Sequence, residues 1–271
     1  MFSIGAALGG SAIVYLGQKL KASSTRAYSD TKLIADTKDI TSLPAKPSYE
    51  RESDYVTFSG RLNNFDSPLL KSAMMQRMNS DTHDAIRIKT KTYQRTEDSV
   101  SRSVAVVSEN LVSESETGGI VAVEPFNAGS AKVLLRDSVY IKSLYKGGVE
   151  EFKPAVESSI SVFGERPASK TIGFRVVERL IPANQVVSGV GLVEAKMVAG
   201  AAGAPTLQWV LASPDHAKLH GRPSFLVYGD KDDLVQQRQN EAGSLADIGD
   251  VVTAVGVVGI VFGCYNMVRN K

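Results

Sequence analysis

Both ends of this chain are uncharged and apolar, and that placement limits what the residues between them can form. Phe2 to Gln18 reads FSIGAALGGSAIVYLGQ and is closed by Lys19 and Lys21. Val251 to Val268 reads VVTAVGVVGIVFGCYNMV between Asp250 and Arg269. Seventeen helical residues rise about 26 Å, slightly under the roughly 30 Å of a hydrocarbon core. Lys19 and Lys21 can snorkel to make up the difference. A cleaved signal peptide would carry its basic residues before the apolar run, whereas here they follow it. The second run shows no polar face, unlike a buried amphipathic helix. The expectation is therefore two transmembrane helices, 2–18 and 248–268, with both termini on one side and the body on the other. Charge does not choose the side, because Lys19, Lys21 and Arg26 balance Arg269, Lys271 and the α-amine.

Each run holds a GxxxG pattern, Gly5 with Gly9 and Gly259 with Gly263. Small residues four apart let helix backbones approach closely in lipid, although the pattern also arises by chance in glycine-rich runs. The expectation is that these helices pack on one another or on copies of themselves, giving a homo-oligomer.

Charge and ligand counts exclude several functions. Thirty-one basic residues face 29 acidic ones, with a net charge of +2, so nothing resembles the basic stripe of a nucleic-acid binder. A single cysteine, Cys264, allows no intramolecular disulfide, and within an apolar run it reads as a small packing residue. One Cys with three His cannot fill the two four-ligand zinc sites of a RING. His216 and His220 have the spacing of two ligands on one helix face. Pro214 before them, Gly221 after them and the lack of a HExxH glutamate favour an exposed loop or turn and no metal. No GxGxxG, P-loop or GxSxG elbow is present, so no cofactor and no catalytic residue is expected. Glu150 and Glu151 read as a solvated face.

Between the ends the pattern is mostly short strands. Ser29 to Ile40 reads as a short helix, and LPAKPS from Leu43 to Ser48 breaks it. A strand begins at Tyr55, and Asp66-Ser67-Pro68 reads as the start of a helix over Leu69 to Met78. Ala85 to Thr92 alternates Ile86 and Ile88 with Arg87 and Lys89, a strand with one wet face. Further strands are expected over Arg102–Ser108, Gly119–Glu124, Lys132–Tyr140, Gly173–Ile181, Val186–Lys196, Leu207–Leu211 and Ser224–Tyr228. Turns or loops are expected at Ser115–Gly119, Gly147-Gly148 and Val198–Pro205. A last helix starts at Asp230 or Asp232. The resulting division is a helix and linker over 19–53, a strand-rich α+β domain over 54–229 and a membrane-proximal helix over 230–247. The strand spacing suggests a barrel-like or sandwich body.

The stretch from Asp137 to Glu194 resembles the GIDE domain, also called the beside-a-membrane domain, of membrane-anchored ubiquitin ligases of mitochondria and plastids. The likeness rests on Gly164-Glu165-Arg166, then Gly173 with Glu178, the Ile181-Pro182 turn and the Gly-Val-Gly of Gly189 to Gly191. The order of elements around it fits as well, including the IADTKDI helix, the SPL segment after Gly60 and the Gln236-Gln237-Arg238-Gln239 helix before the second apolar run. The resemblance implies a GIDE-type soluble domain between two spans, in a mitochondrial or chloroplast outer membrane, with the body in the intermembrane space. It also implies that the body recognises membrane proteins. Family ligases carry a RING after the second span, and this sequence ends three residues past Val268. The expectation is a RING-less relative, not itself an enzyme, with a RING-bearing relative among its partners. Two alternatives stand beside it: a component of an active ligase whose RING is lost or supplied by another chain, and a membrane scaffold unrelated to ubiquitin. Glu165 and Arg166 read as a structural pair fixing the signature turn, or as part of a binding site.

Overall fold

The computed structural model describes residues 2–48, 53–72, 74, 84–101, 104–127, 129, 131–155, 169–199 and 204–269. Two long helices, α1 (Phe2–Asp36) and α4 (Lys231–Arg269), run side by side, and two sheets form the body between them in sequence. The apolar start of α1 continues unbroken through the charged residues to Asp36, so the short helix expected at Ser29–Ile40 is the end of this longer one. Asp39 then caps a single 3-10 turn, Ile40–Ser42, accepting a bond of 2.9 Å from the Thr41 amide.

Six strands make the first sheet: β1 (Ser53–Asn64), β5 (Val121–Pro125), β6 (Val133–Leu135), β9 (Val186–Val198), β10 (Thr206–Leu211) and β11 (Phe225–Tyr228). Their order is β1-β5-β6-β10-β9, and β9 pairs back onto β1, which closes the circuit into a small barrel with β11 appended to β9. Only β6 and β10 are parallel in this circuit. Alternation fills the interior. Val56, Phe58 and Leu62 from β1 meet Val121, Val123, Val133, Leu135, Val187, Val193, Trp209 and Leu211, all buried. Gly60 sits where β1 is flanked by both β5 and β9, and a Cβ there would lie 2.1 Å from the Glu124 carbonyl oxygen. Only glycine fits such a corner.

The outward side of the barrel is not left bare. Tyr55, Val190 and Val227 pack against Ile34 of α1 and Leu234 of α4. Arg238 of α4 fixes the same junction, bonding Asp30 of α1 at 2.6 Å and lying 5.1 Å over the Phe225 ring.

The second sheet holds β2 (Leu70–Lys71), β3 (Asp84–Ser101), β4 (Val104–Gly118), β7 (Lys146–Pro154) and β8 (Ser169–Pro182). It is built on a long β3–β4 hairpin with β8 and then β7 on the other side of β3. The β8–β9 connection joins the two sheets through Asn184 at φ 61°, a left-handed conformation that asparagine tolerates.

Several expectations are corrected. Leu70 and Lys71 form a strand against β3, not a helix, because Asp66 is engaged elsewhere and accepts a bond from the Ile120 amide at 3.1 Å. Most of the remaining Leu69–Met78 stretch lies outside the described residues. Lys132–Tyr140 is not one strand: β6 ends at Leu135, and Asp137 caps helix α2 (Ser138–Leu144) by accepting from the Val139 amide at 2.8 Å. Gly147 and Gly148 lie inside β7 at a register shift, and Ser115–Gly118 continues β4 instead of forming a loop.

Tyr140 is buried under the barrel, where its hydroxyl donates to the Ala212 carbonyl at 2.9 Å and contacts Ser224 Oγ at 2.5 Å. Burial pushes its pKa up to about 12, and Tyr55 and Tyr228 are raised by burial as well. A phenol raised in the folded state binds its proton longer there than in the unfolded chain. The stability this gives is complete below pH of about 10 and is lost as pH climbs through the folded pKa values. Denaturation of the full chain in detergent should therefore show stability falling above pH of about 10. Tyr140→Phe should make that fall shallower by up to about 1.4 kcal/mol per pH unit.

Candidate functional site

Strand alternation gives the β3–β4 hairpin two unlike faces. On one, Thr90 and Thr92 of β3 lie opposite Ser115 and Ser113 of β4. On the other, Arg87, Lys89 and Lys91 meet Glu116 and Glu114: Arg87 bonds Glu116 at 2.9 Å, Lys91 reaches Glu114 at 3.3 Å, and Lys89 pairs with Glu114 more tightly. The Lys89 hydrogen bond, followed by that from Lys91, holds the Glu114 carboxyl below the usual carboxylate range.

This charged face is roofed by α2. Lys89, Lys91 and Tyr93 from β3, Val177 and Arg179 from β8, and Lys142 and Tyr145 of α2 and its C-cap enclose a cavity of about 200 Å³. Register places Lys89 directly across from Arg179, a like-charge pair that works against the strand pairing. Neither Arg179 nor Lys142 has a carboxylate within ion-pairing distance among the described residues. Four cations thus surround the cavity, with Glu114 bonded to Lys89 and Lys91, and with Glu116, paired to Arg87, beside Tyr145. The Tyr145 hydroxyl is closed off from solvent beside Glu116 and Arg87, and burial, followed by the Glu116 carboxylate, pushes its pKa above the ordinary phenol range. The arrangement can bind an anion through ammonium, guanidinium and phenol groups. It has no nucleophile paired with a base.

The residues expected from sequence fall in several places. Gly164, Glu165 and Arg166 lie outside the described residues. Gly173 and Glu178 share β8. Gly173 is buried under Phe152, and a Cβ there would sit 2.5 Å from its ring, so glycine is needed for close packing. Glu178 is buried and accepts a hydrogen bond from Ser72 Oγ, which ties β8 to the segment after β2. Glu150 bonds Arg175 at 2.9 Å on the exposed face. Cys264 is exposed on α4.

Among the described residues one helix is long and apolar enough to cross a membrane, α4 over Lys231–Phe262, with mean hydropathy 2.0 in its most apolar stretch. Val251, Val255, Val258, Val261 and Phe262 point away from the rest of the protein, so this run is not the core helix of a soluble body. Two spans are expected from the sequence, and among the described residues α4 alone qualifies. From Leu8 onward α1 meets Gln18, Lys19 and Lys21 too soon, and nothing is described of the side chains of 2–7.

The two helices do pack together, though through other glycines than expected. Gly10 lies against the backbone of Gly256 and Ile260, and Gly17 against Gly249 and Thr253. Next along the seam, Ser24 donates to the Ala242 carbonyl at 2.8 Å, and Ala242 is fully buried. Small residues at 10, 17 and 24 thus face small residues at 256, 249 and 242, a seven-residue spacing in both helices. Gly9 is exposed with nothing within 4 Å of its would-be Cβ, and Gly259 is half-buried. Gly5 and Gly263 are helical, and nothing further is described of them.

Compared with known proteins, the chain matches no family model, no curated protein and no solved structure.

Proposed function

We propose that this protein is a membrane-anchored recognition module whose body binds an anionic segment of a partner protein. The observation that carries the reading is the excess of cations over carboxylates around the cavity under α2, where Lys142 and Arg179 have no ion-pair partner among the described residues. Bringing Lys89, Lys91, Lys142 and Arg179 together costs electrostatic free energy that a bound carboxylate or phosphate offsets. The apolar, outward-facing half of α4 is the anchor, and α1 braces it. A binding role, not catalysis, fits the residues in the cavity.

Within that reading we place the chain beside the organelle-membrane ubiquitin ligases as a RING-less relative, its body in the intermembrane space of mitochondria or chloroplasts. The order of Gly173, Glu178, the β8–β9 turn, Gly189–Gly191 and the closing helix supports this placement. A RING-bearing relative is then the expected partner.

Proximity labelling from the native membrane tests both levels. Full-length protein should label a set of membrane proteins, and Lys142→Glu with Arg179→Glu should lose most of that set while keeping its membrane location. An unchanged set would sink the cavity as the recognition surface. Absence of any RING-bearing protein from the wild-type set would remove the ubiquitin connection and leave a scaffold.

A further inference from the structure

The loop expected at His216 and His220 is a helix. Ser213 caps α3 (Pro214–Leu219) by accepting from the His216 amide at 3.2 Å, Pro214 occupies the first turn, and His220 closes the end. Spacing of four then stacks the two imidazoles on one face, with ring centroids 5.1 Å apart and planes at 65°. Their Nε2 atoms face each other at 3.4 Å.

We propose that His216 and His220 bind a divalent transition-metal ion of the zinc or copper type between their Nε2 atoms. A gap of 3.4 Å is long for an N–H···N hydrogen bond. It suits two nitrogens each about 2.05 Å from a shared ion, which then subtend roughly 110° at the metal, close to tetrahedral. The tautomer is set from behind. His216 Nδ1 lies 2.6 Å from Glu194 Oε1, so the proton sits on Nδ1 and the Nε2 lone pair is turned toward His220. Glu194 is largely buried on β9, and Lys196 holds its other oxygen at 2.5 Å. A carboxylate behind a histidine is the usual support that orients and strengthens a metal ligand.

A simple His216–Glu194 pair explains one half of this arrangement. The rival arrangement is a single hydrogen bond in which His220 Nε2–H donates to the His216 Nε2 lone pair, and zinc titration separates the two. Imidazole pairs favour zinc, copper or nickel over calcium or magnesium. No third His, Cys, Asp or Glu joins the pair among the described residues, so the remaining positions belong to water or to an incoming ligand. Asp215 is nearby but highly exposed and engaged with Lys218 at 3.1 Å. The inference does not depend on the recognition reading.

Zinc alone, titrated calorimetrically into the full chain in detergent, is the test. One ion should bind per chain, and His220→Gln should weaken it about tenfold or more. Glu194→Gln, which keeps the shape of the positioning group, should weaken it about tenfold to a hundredfold. His220 is exposed, so its variant stays folded even if the Glu194 variant does not. Asp215→Asn should bind like the wild type. No heat of binding, wild-type affinity in His220→Gln, or an equal loss in Asp215→Asn would each overturn the site.

Discussion

Trp209→Ala should remove about 3–5 kcal/mol from the stability of the body, a large share of the total that a domain of this kind possesses. Trp209 is fully buried on β10, where β6 lies on one side and β9 on the other. Its ring fills the barrel beside Phe58, Leu135 and Val193, and removing it leaves a cavity that closed strands cannot collapse into. Its Nε1 also donates to the Pro44 carbonyl at 3.0 Å, which pins the linker after α1 to the barrel. Trp209→Phe keeps most of the volume and orphans that carbonyl, so it should cost less, about 1–3 kcal/mol. Trp209 is the only tryptophan, so the variants must be followed by circular dichroism in urea and not by indole fluorescence. Proteolysis between Leu43 and Ser48 should speed up in both. A loss below about 1 kcal/mol in the alanine variant would mean that the ring does not fill the barrel.

How far the sequence foretold this fold depends on the range of the signal. Period-two alternation makes β3 readable, and short apolar runs bounded by turn residues do the same for β1, β8, β9 and β10, of which β1 and β9 are buried on both faces. That the strands would close into a ring was not readable. Closure depends on β9 pairing back onto β1, between residues more than a hundred positions apart, and only Gly60 hints at the corner. Asp66 looked like a helix cap because its local neighbours are those of a cap, yet its carboxylate is used by Ile120 from another strand. Asp137 was the true cap, and it was missed because Val139 to Leu144 is as apolar as a strand. The cation-lined cavity had a local trace in the alternation of Lys89 and Lys91. Its other walls, Lys142 and Arg179, come from distant elements. The histidine pair is legible as a spacing, and Pro214 obscures its helix because proline starts a helix as readily as it ends one.

The helix seam carries the other large effect. Gly256→Val should separate α1 from α4, because a side chain there meets backbone and not a movable group. A Cβ on Gly256 would lie 2.7 Å from the Val14 nitrogen and 2.8 Å from the Gly10 carbonyl oxygen. Helix backbones cannot shift locally by the several tenths of an ångström required, so the pair must either part along this stretch or slide in register. Sliding is opposed further along by Gly17 against Gly249, by Ser24 bonded to Ala242, and by Arg238 bridged to Asp30. Parting is therefore the expected response, and it should stop short of that polar end. Cysteines placed at Ser24 and Ala242 report on the bonded end, and a second pair at Val14 and Gly256 cannot be used because it occupies the seam itself. Spin labels at Leu8 and Val258, both exposed on their helices, read the separation instead. The distance between them should lengthen and broaden in Gly256→Val, while the disulfide introduced by Ser24→Cys with Ala242→Cys still forms. Gly9→Val is the control, since its side chain would enter open space; it should leave both readings unchanged. If Gly9→Val separates the helices and Gly256→Val does not, the helices pair through the GxxxG face and not through the seven-residue ladder.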